Sequence, residues 1–296
     1  MPRFVTDPST EGEFQRLLEA FPAANEFLKS YMARTRTRGW MTFKHLPLGT
    51  GKEKLLDVGG MQALFGPAYM DIWKYGEVHV IDYDTSADDV IVRTDSAGRS
   101  YRFPVAKLNV ELQKWPYPDG MFDTVVCTEV LEHMVFDPMF VMNEISRVLA
   151  PGGHALITIP NAASDSVLTY LVNDMQPGYL RNYITDALQS GERSLNTVYN
   201  LGHFHEYVGP ELACLARAAG FDILFLKGIS PHPPLLDSFK FRLLCLLAHA
   251  LFPRSQRVRE DHLLALLLKR EYKPLDGRAD RFPFPLYKPL SKNVNI

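Results

Sequence analysis

The sequence predicts an α/β fold: a mostly parallel seven-stranded sheet flanked by helices, with N-terminal helices, a helical insertion and a C-terminal extension. Three observations predict it. Short apolar runs bounded by turn formers alternate with helical periodicities from Lys54 to Leu226. The run Lys54–Val58 leads through Asp57 into Gly59-Gly60, a strand entering a tight turn. Between Ala162 and Asn200 the alternation stops, which marks a mostly helical insertion.

Taken in order, Phe14, Leu17, Leu18, Phe21, Phe27, Leu28 and Tyr31 fall at roughly helical spacing, interrupted by Pro22, so two short helices or one broken helix are expected. After strand Lys54–Val58, a helix is expected from Gln62 to Lys74, broken or kinked by Pro67. Val78–Ile81 is the next strand, with Asp82 at its end. Residues 84–100, with Asp88, Asp89 and Asp95, read as a solvated polar loop with a small excursion around Val90–Val92. Tyr101–Leu108 is a third strand, and Pro116-Tyr117-Pro118-Asp119-Gly120 is a stack of turn formers. Phe122–Cys127 is a buried-type strand in which Cys127 is a small core residue rather than a nucleophile. Asp137-Pro138 supplies an N-cap and a first helical residue, Pro151-Gly152-Gly153 closes that helix, and His154–Ile159 is a strand. Gly209–Ala219 is helical, Phe221–Leu226 a strand, Phe239–Phe252 a helix and His262–Lys269 the last strand. The tail from Pro274 is rich in proline and polar groups.

Composition narrows the function. The 296 residues are 46% hydrophobic and 22% charged, with a formal net charge of -2, so no global field recruits nucleic acid or an anionic membrane. Cys127, Cys214 and Cys245 are odd in number and form no CxxC pair, which fits a reducing compartment. The first residues lack the apolar core of a secretory signal, and Phe241–Phe252 and Leu263–Leu268 are too short to span a bilayer. A cytoplasmic location is therefore expected.

In a parallel sheet, ligands bind beyond the carboxyl ends of the strands, where Gly59 and Gly60 let backbone approach closely and Asp82 is suited to a ribose diol. Gly59-Gly60-Met61-Gln62-Ala63-Leu64 is not G-x-G-x-x-G, so no pyrophosphate cradle is evident. Gly49-Thr50-Gly51-Lys52 lacks the Walker spacing and precedes its strand.

The segment Trp115-Pro116-Tyr117-Pro118-Asp119-Gly120-Met121-Phe122-Asp123 through Cys127 is more specific. It continues into Glu129-Val130-Leu131-Glu132-His133 and then Arg147-Val148-Leu149-Ala150-Pro151-Gly152-Gly153. Here the sequence resembles the class I S-adenosylmethionine (SAM) dependent methyltransferases, in the methyltransferase-11/23-like branch, from about Leu55 to Leu226. The resemblance implies a Rossmann-like domain over residues 46–270, an N-terminal helical segment over 1–45 and a tail over 271–296. It implies that Asp57, Gly59, Gly60 and Met61 form the SAM turn and that Asp82 holds the ribose. Asn109 and Glu111, with Lys107 competing for the same place, would lie beside the adenine. Cys127, Thr128 and Glu129 would line the methionyl part. Met61 stands where the family usually has glycine.

If the chain after the strand makes a helical turn, Glu129, Glu132 and His133 share a face. With His203 from His203-Phe204-His205-Glu206-Tyr207 they form a set suited to Mg²⁺ or Mn²⁺. Ubiquinone-biosynthesis O-methyltransferases share Glu-x-x-Glu-His, and small-RNA 3′-terminal 2′-O-methyltransferases add the histidine. Many sugar and small-molecule methyltransferases of the branch carry both motifs with no metal assigned, so an acceptor-pocket role outweighs the metal. His133, His203 and Glu132 are then the catalytic candidates. The histidines would serve as general bases for a hydroxyl, with strand-end capping the equal alternative for His133. His45, His79, His154, His232, His249 and His262 show no partner pattern and read as ordinary histidines.

The apolar helix Phe239–Phe252 is read as packing on the domain or on a homodimer partner. An acceptor lid or a peripheral membrane contact aided by Arg254, Arg257 and Arg259 is the second choice. The function expected is O-methylation of a small-molecule, glycan or lipid-linked acceptor. A metal-dependent RNA-end 2′-O-methyltransferase and an inactive methyltransferase-like scaffold are the alternatives.

Overall fold

The computed structural model describes residues 2–21, 26–83, 87, 89–172, 203–231, 243, 246–247, 250 and 259–270. Most of the expected insertion, most of the helix Phe239–Phe252 and the tail 271–296 lie outside them.

Eight strands form one sheet: β1 (Lys54–Val58), β2 (Glu77–Asp82), β3 (Val90–Thr94), β4 (Ser100–Lys107), β5 (Phe122–Thr128), β6 (Leu149–Pro160), β7 (Phe221–Ile229) and β8 (His262–Lys269). Their order is β3-β4-β2-β1-β5-β6-β8-β7. The five strands from β4 to β6 run parallel, whereas β3 lies antiparallel on β4 and β8 antiparallel on both β6 and β7. The architecture is Rossmann-like, with one strand more than the seven expected. The addition is β3, where the sequence suggests a polar loop. Only alternate residues of β3 are buried, so a strand burying one face at the sheet edge reads as polar. β1 and β2, covered on both faces, are almost continuously buried.

Six described helices accompany the sheet: α1 (Ser9–Ala20), α2 (Glu26–Phe43), α3 (Gly66–Asp71), α4 (Pro138–Val148), α5 (Asp165–Val172) and α6 (Gly209–Ala218). One face of the sheet packs Val125, Met142, Ile145 and Leu212. The other packs Phe14, Trp40, Phe43 and Trp73 against Val80 and Leu266, so α1 and α2 lie on the same face as α3. Asp137 caps α4 as expected, its carboxylate accepting from the Met139 N–H at 2.9 Å.

Two further expectations change. The helix expected over 62–74 is only α3, because Pro67 sits in its first turn, where proline starts a helix rather than continuing one. Pro151-Gly152-Gly153 lies inside β6 rather than between α4 and a strand. The register against β5 shifts there, and a side chain on Gly153 would meet the Ala150 and Asp123 carbonyls at 2.9 and 3.0 Å. The chain steps from β1 to β2 on one side and is joined by β5 on the other, which opens a crevice above β1.

Candidate active site

The turn above β1 needs its first glycine twice over. Gly59 has φ +72°, and a Cβ there would lie 2.6 Å from Val130 Cγ2. Met61, Gln62 and Ala63 follow with φ of +42°, +57° and +56°, three consecutive L-residues in the left-handed region. Each costs about 1–2 kcal/mol. Asp82 braces this turn, its Oδ2 accepting the Gln62 N–H at 2.8 Å. Asp57 is interior, and burial raises its carboxyl to about 8, with the Tyr69 hydroxyl opposing and the Asp82 charge adding to the rise.

Beyond β4, Asn109 Oδ1 accepts the Glu111 N–H at 3.1 Å. The buried Glu111 carboxylate takes the backbone N–H groups of Val135 and Phe136 at 3.0–3.1 Å, which ties down the loop ahead of α4. Its oxygens are thus spent on backbone.

Thr128 is half-buried at the end of β5, beside Thr158 of β6. Glu129 follows with φ +56°. Its carboxylate receives the Thr158 hydroxyl at 2.9 Å and Arg38 Nη1 at 3.1 Å, and His262 Nδ1 also stands at 3.1 Å. Burial disfavours the charged carboxylate, but Arg38 and then His262 outweigh it and hold the group well below the usual carboxylate range. Arg38 also donates to the Tyr31 hydroxyl at 3.3 Å.

A 3-10 turn over Leu131–His133 then points Glu132 the other way. Glu132 is fully buried, and neither carboxylate oxygen has a hydrogen-bond partner among the described residues. Burial first, and the Glu129 charge second, raise its carboxyl well above the ordinary value. One ligand-type atom from each of Glu132, His133 and His203 lies within 4.8 Å of the others, and the two imidazoles meet edge to face at 4.7 Å. His203 arrives because the Phe204 N–H donates to the Glu132 carbonyl at 2.8 Å. Burial, then the neighbouring His133, lower its imidazole to about 3.

Of the four residues expected as a metal-binding set, Glu132, His133 and His203 are brought together, and Glu129 is directed to Arg38, Thr158 and His262 instead. Arg38, Tyr31 and His262 carry no local motif. His262 reaches the site through the β6–β8 register, which pairs it with Pro160. Among the described residues no helix is long and apolar enough to cross a membrane.

A sheet covered on both faces, a glycine turn over β1, an acid closing β2 and a polar cluster beyond β5 define a Rossmann-like domain built to hold a nucleoside cofactor beside a second reactant. Residues 15–225 match a family model described as a methyltransferase domain, and the chain belongs to that family. Among curated relatives, the ubiquinone biosynthesis O-methyltransferase of Marinobacter nauticus is 28% identical over 124 residues, covering 42% of this chain and 45% of the relative. That of Thiobacillus denitrificans is 31% identical over 115 residues, covering 38% and 42%. The chain thus spans less than half the length of these relatives. The methyltransferase in a complex with the Trm112 methyltransferase activator from Haloferax volcanii aligns with TM-score 0.52 at 16% identity, over 88% of this chain and 98% of that one. That likeness concerns the fold.

Proposed function

We propose that the protein is a cytoplasmic SAM-dependent O-methyltransferase whose acceptor is a small-molecule, sugar or lipid-linked hydroxyl. The observation that carries this reading is the Glu132–His133–His203 cluster at the carboxyl edge of β5, two imidazoles beside a carboxyl that burial disfavours in its charged form. SAM supplies an activated methyl sulfonium. Gly59, Gly60 and Met61 give its adenosyl half backbone contacts, with Asp82 at the ribose and Asn109 towards the base. The Glu111 carboxylate keeps the 135–137 loop closed beside it. Thr128 and Glu129 line the methionyl end, where ionised Glu129 suits its ammonium and Arg38 its carboxylate.

On the acceptor side, His133 and His203 flank the hydroxyl, and Glu132 donates a hydrogen bond to it. Burial keeps His203 neutral at working pH, so its lone pair receives the hydroxyl proton. A weak base suffices, because an oxygen that is gaining a methyl becomes strongly acidic. The rest of the rate comes from alignment of the two reactants. Exposed Val135, Phe136 and Phe204 adjoin the cluster in sequence and would offer apolar contact to an acceptor's body. The test is calorimetry with SAM followed by a screen of hydroxyl acceptors using labelled methyl groups. Uptake of SAM with transfer to an alcohol or phenol is expected, and no uptake at millimolar SAM would overturn the reading.

The orphaned carboxylate of Glu132 also favours a second reading, in which Glu132, His133 and His203 hold a divalent cation. The donors fit, since one oxygen and two nitrogens suit a borderline ion such as Mn²⁺ better than Mg²⁺. Such an ion would supply a Lewis acid for the acceptor oxygen. Activity abolished by a chelator and restored by Mn²⁺ would establish this reading, and indifference to chelation would exclude it.

A further inference from the structure

We infer that Glu206 is a positioning residue: its carboxylate stands behind His203 and fixes the imidazole with the proton on Nδ1 and the lone pair on Nε2 turned to the acceptor. This rests on the acceptor-side role proposed for His203. Glu206 Oε1 lies 4.0 Å from His203 Nδ1, and the two side chains are only 17% and 14% exposed. That oxygen is buried and has no hydrogen-bond partner among the described residues. It is aimed at a ring nitrogen and lacks about one ångström of a normal hydrogen bond.

The backbone explains why the two side chains converge. The Phe204 and His205 N–H groups both donate to the Glu132 carbonyl, at 2.8 and 3.3 Å. At the other end, the Tyr207 carbonyl accepts from Ala162 N–H at 2.9 Å, Tyr207 bridges to Asn161, and its buried ring reaches the Leu131 carbonyl. A four-residue span pinned at both ends places residues 203 and 206 together against the 131–133 turn. The imidazole Nδ1–H is a donor within reach.

The chemistry balances. The acceptor O–H proton moves to His203 Nε2 while the oxygen bonds the methyl carbon, and the S–CH₃ electron pair stays on sulfur as S-adenosylhomocysteine forms. The Nδ1 proton remains on the ring, and the carboxylate stabilises the imidazolium. His133 meets the same ring edge to face, a Glu132 carboxylate oxygen lies within 4.8 Å of one of its nitrogens, and the charges of Glu129, His262 and Arg38 also act on it.

The test combines nitrogen-15 NMR of the histidine rings, assigned with His203→Gln, and kinetics of the full chain. Wild type should show His203 as a single Nδ1–H tautomer, and Glu206→Gln a mixture. Glu206→Gln should also lose about 10–100-fold in kcat, with acceptor KM within about threefold. Glu206→Asp should recover part of the loss. S-adenosylhomocysteine binding unchanged within about twofold in both variants confirms an intact fold. An unchanged tautomer, or a rise in KM at constant kcat, would overturn the inference. Should Glu206→Gln not fold, a Glu206→Asp variant with wild-type kcat and tautomer would do the same. If no hydroxyl acceptor is found at all, the function is wrong, and the NMR arm still decides on Glu206.

Discussion

Glu132 and Glu144 are both buried glutamates in the chain's most motif-rich stretch, and they have opposite surroundings. Glu144 is saturated: it receives Arg147 Nε and Nη2 at 2.7 Å each and the Trp115 N–H at 2.7 Å. Arg147 goes on to the Tyr117 carbonyl at 2.7 Å, Asp119 at 2.8 Å and the Trp115 carbonyl at 3.1 Å. That clamp joins the proline-rich turn before β5 to α4, and its hydrogen bonding is complete. Glu132 has no such partner among the described residues. A buried polar group is normally satisfied, so an unsatisfied one at the ligand-binding edge marks work to be done on something outside the chain.

The contrast can be broken by mutation. Glu144→Ala should cost about 3–5 kcal/mol of stability by stranding Arg147, measured by urea unfolding. Glu132→Leu should shift stability by less than about 1 kcal/mol, because it removes a buried carboxyl that has no hydrogen-bond partner among the described residues, yet lower kcat by about 100-fold or more. Equal destabilisation by the two changes would remove the distinction.

A pH titration sharpens it further. Asp57 is raised from 3.8 to about 8, so between those values the folded state holds a proton that the unfolded state has released. Stability from this group is therefore lost as pH rises through that window. Asp57→Asn should flatten the wild-type decline by up to about 1.4 kcal/mol per pH unit. Parallel curves would show that Asp57 is ionised in the fold.

Arg38 tests whether the edge is ligand-directed. Arg38→Gln should weaken S-adenosylhomocysteine by about tenfold, about 1.4 kcal/mol, and leave 5′-methylthioadenosine, which has no carboxylate, unaffected in calorimetry. Equal weakening of both would make Arg38 a packing residue. The smallest effect is expected at Met61→Gly, which relieves one left-handed residue and should stabilise by about 1 kcal/mol or less, read as a rise in Tm.

Local chemistry was readable from the chain. The strands β1, β2, β5 and β8, the Asp137 cap, the glycine turn and the Glu132-His133 and His203 motifs each depend on residues close in sequence. β3 was hard to read because an edge strand presents half its residues to water. The short α3 was hard to read because apolar spacing does not reveal that residues 61–63 turn left-handed. At the site, Arg38 and His262 had no local signal, since their partner Glu129 is 91 residues from one and lies across the β6–β8 pairing from the other.

The amino-acid sequence alone determined the fold class and which acids, glycines and histidines gather near the strand ends, because periodicity and turn chemistry act over a few residues. Only the tertiary structure decided which carboxylate is charged. Glu129 and Glu132 are three residues apart, but a left-handed residue and a 3-10 turn send one to Arg38 and His262 and the other to the buried side beside His133 and His203. Burial and partners, not residue type, set their protonation.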